Sequence, residues 1–312
     1  MEHFNWKPKS WLSIVFAIFT QSFAFLYVNK ARWFWFYLGL SLVLGLVDIK
    51  LHTVIHSGSW YESIYFSWLL LIVCPVHAYL VCRHYDITQE RSWYASWWGT
   101  LVSFFLLLTL VFIIRTFFIE PFSIPATSMS PTLKPGDQVV ISKWGYGNYR
   151  YLGIRVLQSA PATSPQRGDI VVFQYPQDPQ IDFIKRVIGL PGDRIIYRNK
   201  TLYIQPACAN QSTDCAAIKE ISRQQSNYSE EEMPFKFYQE RLMDVDYTIK
   251  INSSRQDATS HYFFQSGTKQ DEWVVPDKHF FVMGDNRDNS LDSRYWGFVE
   301  QSSISGKVIL VW

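Results

Sequence analysis

With 312 residues the chain has room for more than one domain, and its formal net charge of +2 gives no reason to expect a nucleic-acid partner. The aromatic fraction, 17%, is high, and most of the excess falls early. There, residues 11–28, 33–47, 64–81 and 92–114 contain no Lys, Arg, Asp or Glu. A soluble core helix would carry a polar stripe, and these segments have none.

The first, third and fourth are long enough to cross a bilayer, which needs roughly 20 apolar residues, whereas 33–47 is short. Lys7 and Lys9 precede the first run as in a cleaved leader, but Tyr27-Val28-Asn29-Lys30 offers no small-x-small cleavage site, so a retained anchor is expected. Lys30 and Arg32 fall in the first connection, Lys50 in the second, Arg83 and Arg91 in the third. Four spans with the first and third connections cytoplasmic would put both termini outside; three spans are the alternative. Cys74 and Cys82, in or at the end of the third segment, are expected as small hydrophobes. Residues 1–115 therefore read as a membrane anchor with three to four transmembrane helices.

Beyond Glu120 the texture changes to short β-rich segments punctuated by Gly-Asp. Gly136-Asp137, Gly168-Asp169 and Gly192-Asp193 each precede a predicted strand, at 138–141, 170–173 and 194–197. Residues 306–312 form another. The polar stretch 199–271, with Glu230-Glu231-Glu232, reads as a smaller β subdomain inserted into the 116–312 domain. A short connection, 115–127, joins the last apolar segment to Ser128 and keeps that residue near the membrane surface, because extended chain spans at most ~3.6 Å per residue.

Two residues stand in unusual local frames: Ser128 in Ile124-Pro125-Ala126-Thr127-Ser128-Met129, and Lys185 in Phe183-Ile184-Lys185-Arg186-Val187-Ile188. A serine nucleophile needs an adjacent base, and a neutral lysine can serve. If 183–188 is a strand, Lys185 shares a face with Phe183 and Val187 while Arg186 points the other way. Apolar neighbours and burial would then disfavour the ammonium. Read alone, the segment is more simply taken as carrying ordinary strand-edge charges.

From about Phe118 onward the chain resembles the type I signal peptidases, bacterial Ser-Lys membrane proteases that cut leader peptides from exported proteins. Four blocks carry the resemblance: Glu120-Pro121-Phe122 through Gly136-Asp137; Arg167-Gly168-Asp169 through Phe173; the Lys185 segment through Pro191-Gly192-Asp193; and Gly284-Asp285-Asn286-Arg287-Asp288-Asn289-Ser290-Leu291-Asp292-Ser293-Arg294-Tyr295-Trp296-Gly297. The resemblance implies transmembrane α-helices followed by a mostly-β catalytic domain with a smaller inserted β subdomain. It implies Ser128 as nucleophile and Lys185 as base, with Ser290 positioning the lysine amine by a hydrogen bond. Asp285, Arg287, Asp292 and Arg294 would support the site as charge pairs, although a solvated turn would use the same residues. Phe122, Ile124, Met129, Leu133 and Ile184 would line shallow pockets that select alanine-sized residues before the cleaved bond; without the resemblance they read as core.

One departure is visible: many members carry a hydroxyl residue as second oxyanion donor where this chain has Ala126, so Thr127, water or the backbone alone must serve. Cys208 and Cys215 frame a polar loop and could close a disulfide in an oxidising compartment, as a comparable pair does in some members. The histidines lack ligand spacing, and no metal or other cofactor is expected. The implied partners are preprotein signal peptides, membrane lipid and the export translocon. The implied location is the bacterial inner membrane, multi-pass, with the catalytic domain on the periplasmic side. A Ser-Lys protease with a single dedicated substrate, or a catalytically silent leader-binding scaffold, remains as an alternative.

Overall fold

The computed structural model of the chain describes residues 6–54, 65–208, 216–226 and 234–312. Cys215, His56 and Glu230-Glu231-Glu232 lie outside them. The chain divides into two compact units, 1–112 and 113–312.

Among the described residues, four stretches are long and apolar enough to cross a membrane: Ser10–Tyr27, Ala31–His52 and Phe66–Arg83 in the first unit, and Trp97–Phe117, which runs on into the second. Ser10–Tyr27 is not one straight helix. It breaks after Thr20, where Gln21 takes φ 45° and ψ −104°, a conformation uncommon for a residue with a Cβ. As a continuous helix its ends would stand about 26 Å apart, beyond the reach of a tyrosine side chain. Instead the Lys9 N–H donates to the Tyr27 hydroxyl at 3.0 Å, and the Phe16 and Tyr27 rings lie 5.4 Å apart. The segment is a hairpin that enters and leaves at one end of the unit.

The same end collects the neighbouring connections. Cys82 Sγ donates to the Pro8 carbonyl at 3.2 Å, Lys30 Nζ to Gln89 at 2.8 Å, and Asn29 Nδ2 to the Glu90 carbonyl at 2.8 Å. Lys7, Lys9, Lys30, Arg32, Arg83 and Arg91 therefore share it. At the far end, Asp48 accepts the Phe66 and Ser67 N–H groups at 2.8 and 3.0 Å. This satisfied carboxylate lets the helix run from Ala31 to Val54, straight through Asp48 and Lys50, well past the short apolar core read from sequence. The four stretches do not therefore run as four equal straight helices. Three stretches traverse the unit and the first folds back, because Gln21-Ser22 interrupts it. Cys74 and Cys82 are buried free thiols, as expected.

In the second unit each Gly-Asp turn places glycine at positive φ: Gly136 at 96°, Gly168 at 92° and Gly192 at 84°. A side chain is strained there, which is why turn and strand follow one another so regularly. The strands that follow, Gln138–Ser142, Ile170–Tyr175 and Arg194–Arg198, match the sequence reading to within two residues. A seven-stranded antiparallel sheet runs, edge to edge, Ile119–Ser123, Gln138–Ser142, Ile304–Val311, Ile170–Tyr175, Asp178–Gly189, His279–Met283, Val299–Glu300. Residues 194–252, with Glu272–Val274, supply a four-stranded and a three-stranded sheet around Tyr197, Ile249, Trp273 and Phe281.

Candidate active site

Ser128 lies in the loop between Ile119–Ser123 and Gln138–Ser142, and Lys185 lies on the Asp178–Gly189 strand, paired with Val171 across the sheet. The two side chains meet: Lys185 Nζ stands 2.8 Å from Ser128 Oγ and 2.9 Å from the Ile184 carbonyl. The amine also sits 5.1 Å from the Phe183 ring centroid, as strand alternation predicts. Lys185 is only 4% exposed. Burial pushes its pKa down to about 8, against the opposing pull of Asp292 and Asp285. A lysine so placed is substantially neutral at mildly alkaline pH and within proton-transfer distance of a hydroxyl.

The Ser128 loop is clamped from the 284–289 segment. The Asn286 N–H donates to the Ser128 carbonyl at 3.1 Å, Asn286 Nδ2 to the Thr127 carbonyl at 3.1 Å, and Asn289 Nδ2 to Thr127 Oγ1 at 3.0 Å. Gly284 is required by close approach. A Cβ there would lie 2.5 Å from the Ser128 carbonyl oxygen and 2.2 Å from Ser290 Oγ. Ala126 and Thr127 are both exposed.

The expected charge pairs exist, but only one falls between residues of the predicted set. Asp292 pairs with Arg294 at 2.8 Å and accepts the Gly284 N–H at 3.0 Å. Burial would raise its carboxyl, yet the Arg294 guanidinium and these hydrogen bonds hold it below the usual carboxylate range. Asp285 pairs with Arg186, at 2.9 and 2.6 Å, and accepts the Thr132 hydroxyl at 2.5 Å. Arg287 pairs with Glu240, whose other contact is the Tyr247 hydroxyl at 2.6 Å. All of these charges are at least nine-tenths buried, which excludes the solvated-turn reading.

Arg186, Thr132, Asn286, Asn289, Gly284 and Glu240 were not singled out by sequence. For Arg186 the signal was available: a residue on the strand face opposite Lys185 must find an anion if that face is buried. Glu240 comes from the polar insertion and had no local signal.

Ser290 is buried against Gly284 and beside Asp292, whose carboxyl it helps hold down, while the Lys185 amine is taken up by Ser128 and Ile184. The apolar candidates gather in one cluster: Ile124, Met129 and Leu133 are buried with Val139, while Phe122 and Ile184 are only partly buried against them. Cys208 is described; its candidate partner Cys215 lies outside the described residues, so the pairing does too. No group of three or more potential metal ligands occurs among the described residues.

Residues 97–312 match the model of the family described as signal peptidase, peptidase S26. Signal peptidase I of Buchnera aphidicola (subspecies Baizongia pistaciae) is 40% identical over 257 residues, covering 73% of this chain and 81% of that protein. The corresponding protein of Pseudomonas aeruginosa is 37% identical, covering 67% and 70%, and that of Haemophilus influenzae 32%, covering 68% of each. A solved signal peptidase I from Enterococcus faecalis aligns at 30% identity over 47% of this chain and 98% of its own, with a TM-score of 0.27, too low to bear on the fold. On the family match and on relatives of this identity and coverage, the chain belongs to the signal peptidase family, peptidase S26.

Proposed function

We propose that Ser128 and Lys185 carry the reaction of this membrane-bound serine endopeptidase. The carrying observation is the 2.8 Å contact between a half-buried hydroxyl and a buried amine whose pKa is lowered to about 8. Neutral Lys185 takes the Ser128 proton as Oγ attacks the scissile carbonyl, and the resulting ammonium protonates the leaving amine. Water then hydrolyses the acyl-enzyme with Lys185 again as base. The backbone N–H of Ser128 is the first oxyanion donor. Arg186, Asp285, Asn286, Asp292 and Arg294 hold the two reacting side chains in register, and Ser290 packs against Gly284 beside them. Phe122 and Ile184, the incompletely buried members of the apolar cluster, offer the wall that excludes large side chains next to the bond. The substrates are signal peptides of exported preproteins, cut after small residues of the Ala-x-Ala type.

The chain path supports an orientation in the bacterial inner membrane. Three traverses would leave the two ends of the helical segment on opposite sides. The end rich in Lys and Arg is the cytoplasmic one by the positive-inside rule, so residues beyond Phe117 emerge on the exported side.

The test uses the purified full chain in lipid vesicles with a preprotein bearing Ala-x-Ala, beside the same preprotein with Trp at the residue before the bond. Cleavage of the first only, lost in both Ser128→Ala and Lys185→Ala, is the expected result. An intact Ala-x-Ala substrate with a folded wild-type chain, or activity surviving in either variant, overturns the assignment.

A further inference from the structure

The helical unit contains a cavity of about 620 Å³ that the peptidase reaction does not use. Its rim carries Lys7, Lys9 and Arg91, and its walls include Trp6, Phe16 and Leu101. The Arg91 guanidinium lies 4.2 Å from the Trp6 ring centroid, and Trp6 is itself fixed edge-on against Tyr27 and Tyr85 at 6.1 and 5.5 Å. None of the three cations has a carboxylate partner among the described residues. Asp86 and Glu90 share this end of the unit but do not line the cavity, and Asp86 is occupied by the Thr88 N–H and hydroxyl at 2.9 and 2.7 Å.

The cavity exists because the first segment folds back. A straight helix would carry Lys9 and Tyr27 to opposite ends; the hairpin brings both beside Arg91 and the start of the Trp97–Phe117 helix. The result is a cationic mouth over an apolar floor, at the depth where tryptophans mark the boundary of the hydrocarbon.

We propose that this cavity binds an anionic phospholipid, its phosphate between Lys7, Lys9 and Arg91 and an acyl chain along Phe16 and Leu101. Cation charge and apolar depth together match an amphiphile with a negative head, and the cytoplasmic leaflet is the one that supplies such lipids. The inference rests on the membrane embedding of the helical unit and not on the identity of the catalytic dyad. A phosphate alone would satisfy the rim and leave the apolar floor unused.

The experiment is native mass spectrometry of the full chain in detergent, titrated with dioleoyl phosphatidylglycerol or with dioleoyl phosphatidylcholine. Each cation near a lipid phosphate is worth roughly fivefold, so Lys7→Gln/Lys9→Gln is expected to weaken phosphatidylglycerol binding about thirtyfold. That double variant leaves the Arg91–Trp6 stack intact. Lys30→Gln/Arg32→Gln, at the same end but outside the cavity, is expected to change it less than threefold. Leu101→Trp, which fills the floor and keeps the charges, is expected to abolish retention. Equal retention of the two lipids overturns the proposal, as does a double variant that binds like wild type. Equal losses in the control pair reduce the effect to general surface charge, and inorganic phosphate binding as tightly as the lipid makes the rim a phosphate site; either result also overturns it.

Discussion

If Lys185 acts as a neutral base, the lowered pKa sets the pH dependence of the enzyme. An ordinary lysine titrating at 10.5 would be neutral in about 0.03% of molecules at pH 7; one at about 8 is neutral in about 9%. Burial is therefore worth roughly 300-fold in active fraction at neutral pH. The neutral amine is the reactive form, so kcat/KM should rise about tenfold between pH 7 and 9 and level off above, where an unshifted lysine would keep gaining tenfold per unit. Asp285 carries a negative charge that favours the ammonium, so Asp285→Asn should move the limb to lower pH. The same shift has a stability sign. Since the folded pKa lies below the unfolded one, Lys185 costs the native state up to about 3 kcal/mol below pH 8, and the cost disappears as pH rises through 10.5. Lys185→Met should thus be inactive yet more heat-stable at pH 7, with the advantage fading near pH 10. The assays are initial rates on an Ala-x-Ala preprotein from pH 6 to 10 and thermal midpoints at pH 7 and 10. A flat profile, a limb centred above pH 9.5, or a Lys185→Met chain that melts earlier than wild type at pH 7 would refute the reasoning.

Gly284→Ala should lower kcat by about 10²-fold with little change in KM, because the added Cβ drives against the Ser128 carbonyl and displaces the nucleophile; steady-state kinetics on the folded variant reads this directly. Glu240→Leu strands the Arg287 guanidinium, both groups being about 1% exposed or less, and should cost about 3–5 kcal/mol. Glu240→Leu/Arg287→Met should recover most of that loss in chemical denaturation, and a double variant as unstable as the single one counts against the pair. In oriented membranes, an impermeant maleimide should reach Lys7→Cys and Arg91→Cys from the same face, opposite to the face that reaches Leu152→Cys. Labelling of Lys7→Cys and Arg91→Cys from opposite faces would restore a straight first span.

The strand frame was legible because it depends on local rules. Positive-φ glycines announced the turns, and alternation put Lys185 beside Phe183. The family blocks carried what physics could not, namely that Ser128 and Lys185, far apart in sequence, come together. Hydropathy could not see the reversal at Gln21, since folding back does not alter the apolar content of residues 11–28. It also cut the second helix short at Asp48, whose carboxylate is satisfied by N–H groups that arrive from Phe66 and Ser67. Glu240 stayed invisible for a similar reason: its partner lies 47 positions away and no local pattern joins them. The charges of the 284–297 block were readable as residues but not as pairs, because two of the three pairs draw a partner from outside it.

The Ile304–Val311 strand lies inside the main sheet, hydrogen-bonded on one side to Gln138–Ser142 and on the other to Ile170–Tyr175. The two earlier strands have no direct pairing to fall back on, so the sheet stays open until this later stretch arrives. The Asn286 clamp on Ser128 is likewise made late. During synthesis Ser128 emerges well before the segments that hold it against Lys185. The order of residues along the chain thus delays assembly of the Ser128–Lys185 contact until the 279–311 stretch has been made.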